Sequence, residues 1–121
     1  MNYQQRTLKA VTEIHNDQKT GVYSDTHCPL CRIYRDKKGN CVGCVSCSVK
    51  GKTMGCCSFK TYMEVRGYKI RAKFWQDVIP ILKAIDKKFF TPRFCKSHPE
   101  QARKKFAFMI EIDNRIYDKY K

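Results

Sequence analysis

The sequence predicts a mainly α fold: a small helical domain spanning residues 1–121 that carries an irregular cysteine-rich, zinc-binding loop. Two observations predict it. Apolar residues recur at helical spacing near the N-terminus and through the second half of the chain, while seven of the eight cysteines fall within residues 22–57. That stretch also holds Gly39, Gly43, Gly51 and Gly55, and it could not fold on apolar burial alone. A length of 121 residues suits one domain with a modest core, which a metal staple would help. The expected organisation is an N-terminal helix (1–20), a zinc loop (22–57, with room for a short hairpin) and a helical part (58–121).

Leu8, Val11 and Ile14/His15 define the first helix from Tyr3, and Asn16-Asp17 with Gly21 are expected to end it. After the loop, Phe59, Tyr62, Met63, Ile70 and Phe74 fit a helical face. Residues 68–74 also alternate with period two, as a half-buried strand would, placing Lys69, Arg71 and Lys73 together. Helix is the favoured reading, because Val78, Ile81, Leu82 and Ile85 extend the stripe beyond strand length. Pro80 implies a kink, or a fresh start with Asp77 as N-cap. Thr91-Pro92 then breaks the chain, and Ser97-His98-Pro99-Glu100 matches a capping box. Ala102, Phe106, Met109/Ile110, Asp113 and Tyr117 follow at helical offsets, so one helix is expected over 98–117.

Cys28-Pro29-Leu30-Cys31 and Cys41-Val42-Gly43-Cys44 have metal-knuckle spacing: two thiolates can reach one ion while backbone N–H groups point at the sulfurs. Cys47 adds a further step of three, and Cys56-Cys57 follow. The expected cofactor is structural zinc, with ligands drawn from Cys28, Cys31, Cys41, Cys44 and Cys56. Zinc supplies roughly 10–16 kcal/mol of apparent binding energy in small domains, enough to order such a loop. The ligand set stays open. Cys28, Cys31, Cys41 and Cys44 form one option, and Cys28, Cys31, Cys44 and Cys56 another. A third joins Cys28 and Cys31 to Cys95 and His98, leaving Cys41, Cys44, Cys47 and Cys56 for a second ion. For Cys95 a buried small hydrophobe is the simpler reading, and for His98 an ordinary helix-start residue.

The net charge is +14, and residues 21–105 carry 19 basic against six acidic side chains. Such a field attracts polyanions, either nucleic acid or an acidic protein surface, although solubility also explains a high charge. Lys69, Arg71, Lys73, Arg103, Lys104 and Lys105 are the candidate phosphate partners, with Arg93 and Lys96 beside them. Tyr62, Tyr68, Phe74 and Trp75 could stack on bases, though Phe74 lies on the apolar stripe. In a single helix starting near residue 98, Arg103-Lys104-Lys105 would sit near the end where the macrodipole disfavours cations, which itself points to an anionic partner.

The run Cys28-Pro29-Leu30-Cys31, Cys41-x-Gly43-Cys44, Gly55-Cys56 and Tyr62 resembles a group of small, largely uncharacterised cysteine-rich proteins of bacteriophages and prophages. The similarity covers roughly residues 28–62. It departs at Val45, where that group tends to have proline, and in the extra Cys47 and Cys57. It brings no activity with it, but implies a phage accessory protein in the bacterial cytoplasm. An inhibitor or adaptor that binds a host polymerase or defence complex is the alternative to nucleic-acid binding.

No apolar run reaches signal-peptide or membrane-span length, so a cytoplasmic protein with no membrane partner is expected. Reduced thiols there favour metal over disulfides. His15, His27 and His98 fall in no H-E-x-x-H or deaminase pattern. There is no phosphate-binding loop and no G-x-S-x-G. The expectation is therefore a non-enzyme without a small-molecule substrate.

Overall fold

The computed structural model describes residues 1–20, 29–34 and 68–120. They form α1 (Tyr3–Thr20), α2 (Pro29–Tyr34), α3 (Tyr68–Ala84), a 3-10 turn (Lys87–Phe90), α4 (Pro92–Ser97), α5 (Pro99–Phe106) and α6 (Phe108–Tyr120). No strand occurs among the described residues. The mainly α expectation holds there, and Tyr68 to Phe74 are helical.

Helix α1 starts at a reciprocal capping box. Asn2 Oδ1 accepts from the Gln5 backbone N–H at 2.8 Å, and Gln5 Oε1 accepts from the Asn2 N–H at 2.9 Å. Thr7, Ala10, Val11 and Ile14 then bury one face. Asn16 and Asp17 do not stop the helix, which continues to Thr20. Their intrinsic penalty is only about 0.7 kcal/mol each, small beside the packing of the preceding face.

That face packs on α3. Gln4 Nε2 donates to the carbonyls of Leu82 and Ile85 at 3.2 and 2.6 Å, while His15 Nδ1 donates to the Ala72 carbonyl at 3.0 Å. The low end of α1 therefore meets the high end of α3, and the two run antiparallel. Gln4 thereby gives a partner to the Ile85 carbonyl just past the end of α3 and adds a second donor to the Leu82 carbonyl, which also accepts from the Ile85 N–H at 3.3 Å. The α3/α6 pair is antiparallel too: Arg115 Nη2 donates to Asp77 Oδ2 at 3.0 Å, and Lys73 meets Tyr120.

The core gathers Val11, Leu30, Tyr34, Phe74, Trp75, Val78, Leu82, Phe90, Phe106 and Met109, all fully enclosed. Each large apolar side chain so buried is worth about 1.5–3 kcal/mol. Tyr34 keeps its hydroxyl satisfied inside: it donates to the Phe90 carbonyl at 3.1 Å and accepts from buried Thr7. Tyr34 thus ties α1, α2 and the 3-10 turn together.

Three boundary expectations are corrected. Pro80 lies inside a continuous α3, and Asp77 pairs with Arg115 rather than capping a new helix. Gln76 and Pro80 are both exposed, so the backbone bond that the proline ring removes is lost on the solvent side. The capping box at Ser97 and Glu100 does not form. Ser97 ends α4, its hydroxyl lies 3.0 and 3.2 Å from the Arg93 and Phe94 carbonyls, and Glu100 pairs with Arg103. Finally, the single helix over 98–117 is two helices. The Ala107 N–H turns back to the Lys104 carbonyl, three residues away. This tight step keeps Ala102, Phe106, Met109, Ile112 and Ile116 buried in one series, with Phe106 edge-on to Phe90 at 5.5 Å.

Candidate nucleic-acid interface

Of the expected zinc ligands, only Cys31 falls in a described element, on α2. Cys28, Cys41, Cys44 and Cys56 lie outside the described residues, as do Cys47, Cys57 and His27. Among the described residues no group of three or more His, Cys, Asp or Glu side chains is placed to hold a metal. Cys95 is the buried small side chain expected from the simpler reading, with its Sγ 2.9 Å from the Phe89 carbonyl. A protonated thiol makes such a contact by donating. The neighbouring helix α2 is firmly seated, since Leu30 and Tyr34 reach the core one turn apart.

The six expected phosphate partners do not form one surface. An α-helix turns about 100° per residue, so positions two apart point to nearly opposite sides. Lys69 and Lys73 are accordingly both exposed, whereas Arg71 is half-buried. Grouping the three on one face belonged to the period-two pattern, and the helix separates them. Lys73 is also engaged by Tyr120, which it contacts through a hydrogen bond and across the ring at 4.8 Å. From Lys73 to the end of α3 is about 16 Å of helix, and Lys69 lies one turn further back.

Arg103, Lys104 and Lys105 are all exposed, but their electrostatic position is not the expected one. Because α5 ends at Phe106, they occupy its last turn, where the macrodipole favours cations by about 0.3–1 kcal/mol each. Their placement thus needs no anionic partner to offset a penalty. What distinguishes them is company. Between residues 87 and 105 stand Lys87, Lys88, Arg93, Lys96, Arg103, Lys104 and Lys105 against the single acid Glu100. Every one of those seven basic side chains is exposed. The 3-10 turn, α4 and α5 contact one another in sequence, which gathers the seven into a single basic region. Glu100 is held by Arg103 at 3.1 Å in an open pair, worth little in water.

The aromatic partners in this region differ from those the sequence suggested. Phe74 and Trp75 are core, and Tyr62 lies outside the described residues. In their place stand half-buried Phe89 and Phe94, edge-on to each other at 5.2 Å. Lys105 Nζ lies 5.0 Å from the Phe89 ring centre, and Lys88 Nζ lies 5.3 and 5.7 Å from those of Phe89 and Phe94. Cation–ring contacts of this length hold the ammonium groups beside the aromatic surface without neutralising them. By contrast, a cleft of about 510 Å³ between α3 and α6 is lined by Asp77, Glu111 and Arg115 as well as Ile81 and Phe108; its one cation is paired with Asp77, so it lacks the cationic excess of residues 87–105.

No family model, curated protein or solved structure matches the chain. Among the described residues no helix is long and apolar enough to cross a membrane.

Proposed function

We propose that this chain is a small, non-catalytic, zinc-structured protein that binds nucleic acid through the basic region of residues 87–105. The observation that carries the reading is the density of that region: seven exposed cations and one acid on three short, mutually contacting elements. Phosphate binding needs mobile, accessible Lys and Arg side chains rather than a cavity, and counterion release supplies most of its free energy. Zinc bound through four thiolates drawn from Cys28, Cys31, Cys41, Cys44 and Cys56 would brace the cysteine-rich segment, with a structural and not a catalytic role. The phage resemblance supports an accessory protein of the bacterial cytoplasm.

The test is fluorescence anisotropy with labelled oligonucleotides across a salt series, on protein purified under reducing conditions and assayed for metal. Expected are one or two zinc ions per chain and an affinity that falls with salt at a slope near −0.9 per phosphate contacted. Replacing Arg103, Lys104 and Lys105 by Ala should cut that slope by up to about three. No binding at low salt would refute the nucleic-acid reading and leave an acidic protein surface as the partner. A chain free of zinc would refute the metal reading.

A further inference from the structure

His98 ends α4 and begins α5. It lies four residues after Phe94, one helical turn on, and its imidazole stacks on that ring with centroids 4.5 Å apart and planes 14° from parallel. Phe94 in turn meets Phe89 edge-on, so the imidazole caps a short aromatic column that rises from the half-buried layer. The ring is also fixed in rotation. Ser97 Oγ has the Arg93 and Phe94 carbonyls as acceptors for its own hydrogen, which leaves its oxygen to accept from His98 Nδ1–H at 2.8 Å. His98 is nevertheless exposed. One face of this flat, oriented ring is covered by Phe94, so the exposure of the residue leaves the opposite face as the one a ligand could reach.

We propose that this open face of His98 is a stacking site for an unpaired nucleobase, so that the chain prefers single-stranded nucleic acid to duplex. The proposal rests on the nucleic-acid reading above and adds to it the kind of strand. Bases within a duplex are covered above and below by their neighbours, and a side chain can stack only where a base has left that arrangement. Single strands offer every base a free face, and aromatic platforms in a cationic groove take them with little regard for sequence. Lys88 and Lys105, held at the Phe89 and Phe94 rings, belong to the aromatic column that the imidazole caps and supply cations for the phosphates of a bound strand. Exposed Arg93 and Lys96 on α4 extend the path. A duplex would still meet these cations, but it would leave the ring face empty.

The full-length, metal-containing protein should be titrated with labelled oligo-dT and with a duplex of equal length, at a pH where histidine is neutral. The wild type should bind the single strand more tightly. His98→Ala should weaken single-strand binding about five-fold or more while leaving duplex affinity and the salt slope unchanged. His98→Tyr should restore the single-strand preference. The double replacement of Lys104 and Lys105 by Ala should instead weaken both ligands together and lower the slope. On adding oligo-dT, the carbon-bound ring protons of His98 should move upfield in the NMR spectrum, as they do beneath a stacked base. Unchanged single-strand affinity in His98→Ala, or an equal loss on both ligands, would overturn the stacking site while the nucleic-acid reading stood. Absence of binding to either oligonucleotide would remove both.

Discussion

The Lys73 ammonium donates to the Tyr120 hydroxyl and lies 4.8 Å from the centre of its ring, with Lys119 at 5.4 Å from the same ring. The hydrogen bond from Lys73 holds the Tyr120 pKa below its ordinary value of 10.0; slight desolvation opposes this, and the charges of Lys119 and Lys73 assist it. Folding therefore favours the phenolate. Any stability gained is present above pH 10 and disappears as the pH falls through the lowered value, so it adds nothing at neutral pH. Ultraviolet titration of the wild type minus Tyr120→Phe should isolate this one phenol among the tyrosines. Its midpoint should lie below 10, and Lys73→Ala should move it back up. An unchanged midpoint in Lys73→Ala would show that Lys73 is not the cause. The same contact matters for binding, because a lysine occupied by Tyr120 is a poorer phosphate partner than Lys104, whose ammonium has no such contact described.

Two windows look alike as helix starts, Asn2-Tyr3-Gln4-Gln5 and Ser97-His98-Pro99-Glu100. Only the first closes a capping box. In the second, Ser97 is already the last residue of α4, and its hydroxyl is directed back along that helix. Asn2→Ala should therefore cost about 1 kcal/mol in a urea unfolding experiment, and Ser97→Ala clearly less. The reverse order would mean that α5 depends on a Ser97 cap after all. Periodicity made the existence of α1, α3 and the C-terminal helices readable, since runs such as Phe74, Val78, Leu82 and Ile85 are set by burial. Their ends were not readable, because Asn16, Asp17 and Ala107 differ from their neighbours by tenths of a kcal/mol that packing overrides. The break at Ala107 had a consequence for the site. It moved Arg103-Lys104-Lys105 from the first part of a long helix to the last turn of a short one, reversing the sign of the dipole interaction. Phe89, Phe94 and His98 were missed as a stacked set because their spacing of five and four crosses a 3-10 turn and two helix ends. The cysteine knuckles are an expectation from spacing alone, and apart from Cys31 they fall outside the described residues.

Across the whole molecule, α2 is where the helical core and the cysteine segment meet. Leu30 and Tyr34 are buried beside α1, and the Tyr34 hydroxyl is held by Thr7 and the Phe90 carbonyl. Position 31, a proposed zinc ligand, lies between these two anchors on the same helix. The core therefore seats α2 through Leu30 and Tyr34, on either side of position 31. On the proposed zinc reading, the roughly 10–16 kcal/mol that zinc contributes to small domains would go to organising residues 22–57 rather than α1, α3 and α6. Stripping the metal with a strong chelator under reducing conditions should consequently leave most of the helical circular dichroism signal intact. Over the same titration, tryptic cleavage within residues 22–57 should rise sharply. Cys31→Ser should reproduce the cleavage and the loss of zinc, whereas Tyr34→Ala should lower the thermal midpoint even in the zinc-loaded protein, by emptying a core position worth about 3–5 kcal/mol for an aromatic side chain. If chelation instead abolishes the helical signal along with the cleavage resistance, core and metal segment fold as one unit, and the α2 anchors do not suffice to hold α1 and α3 together.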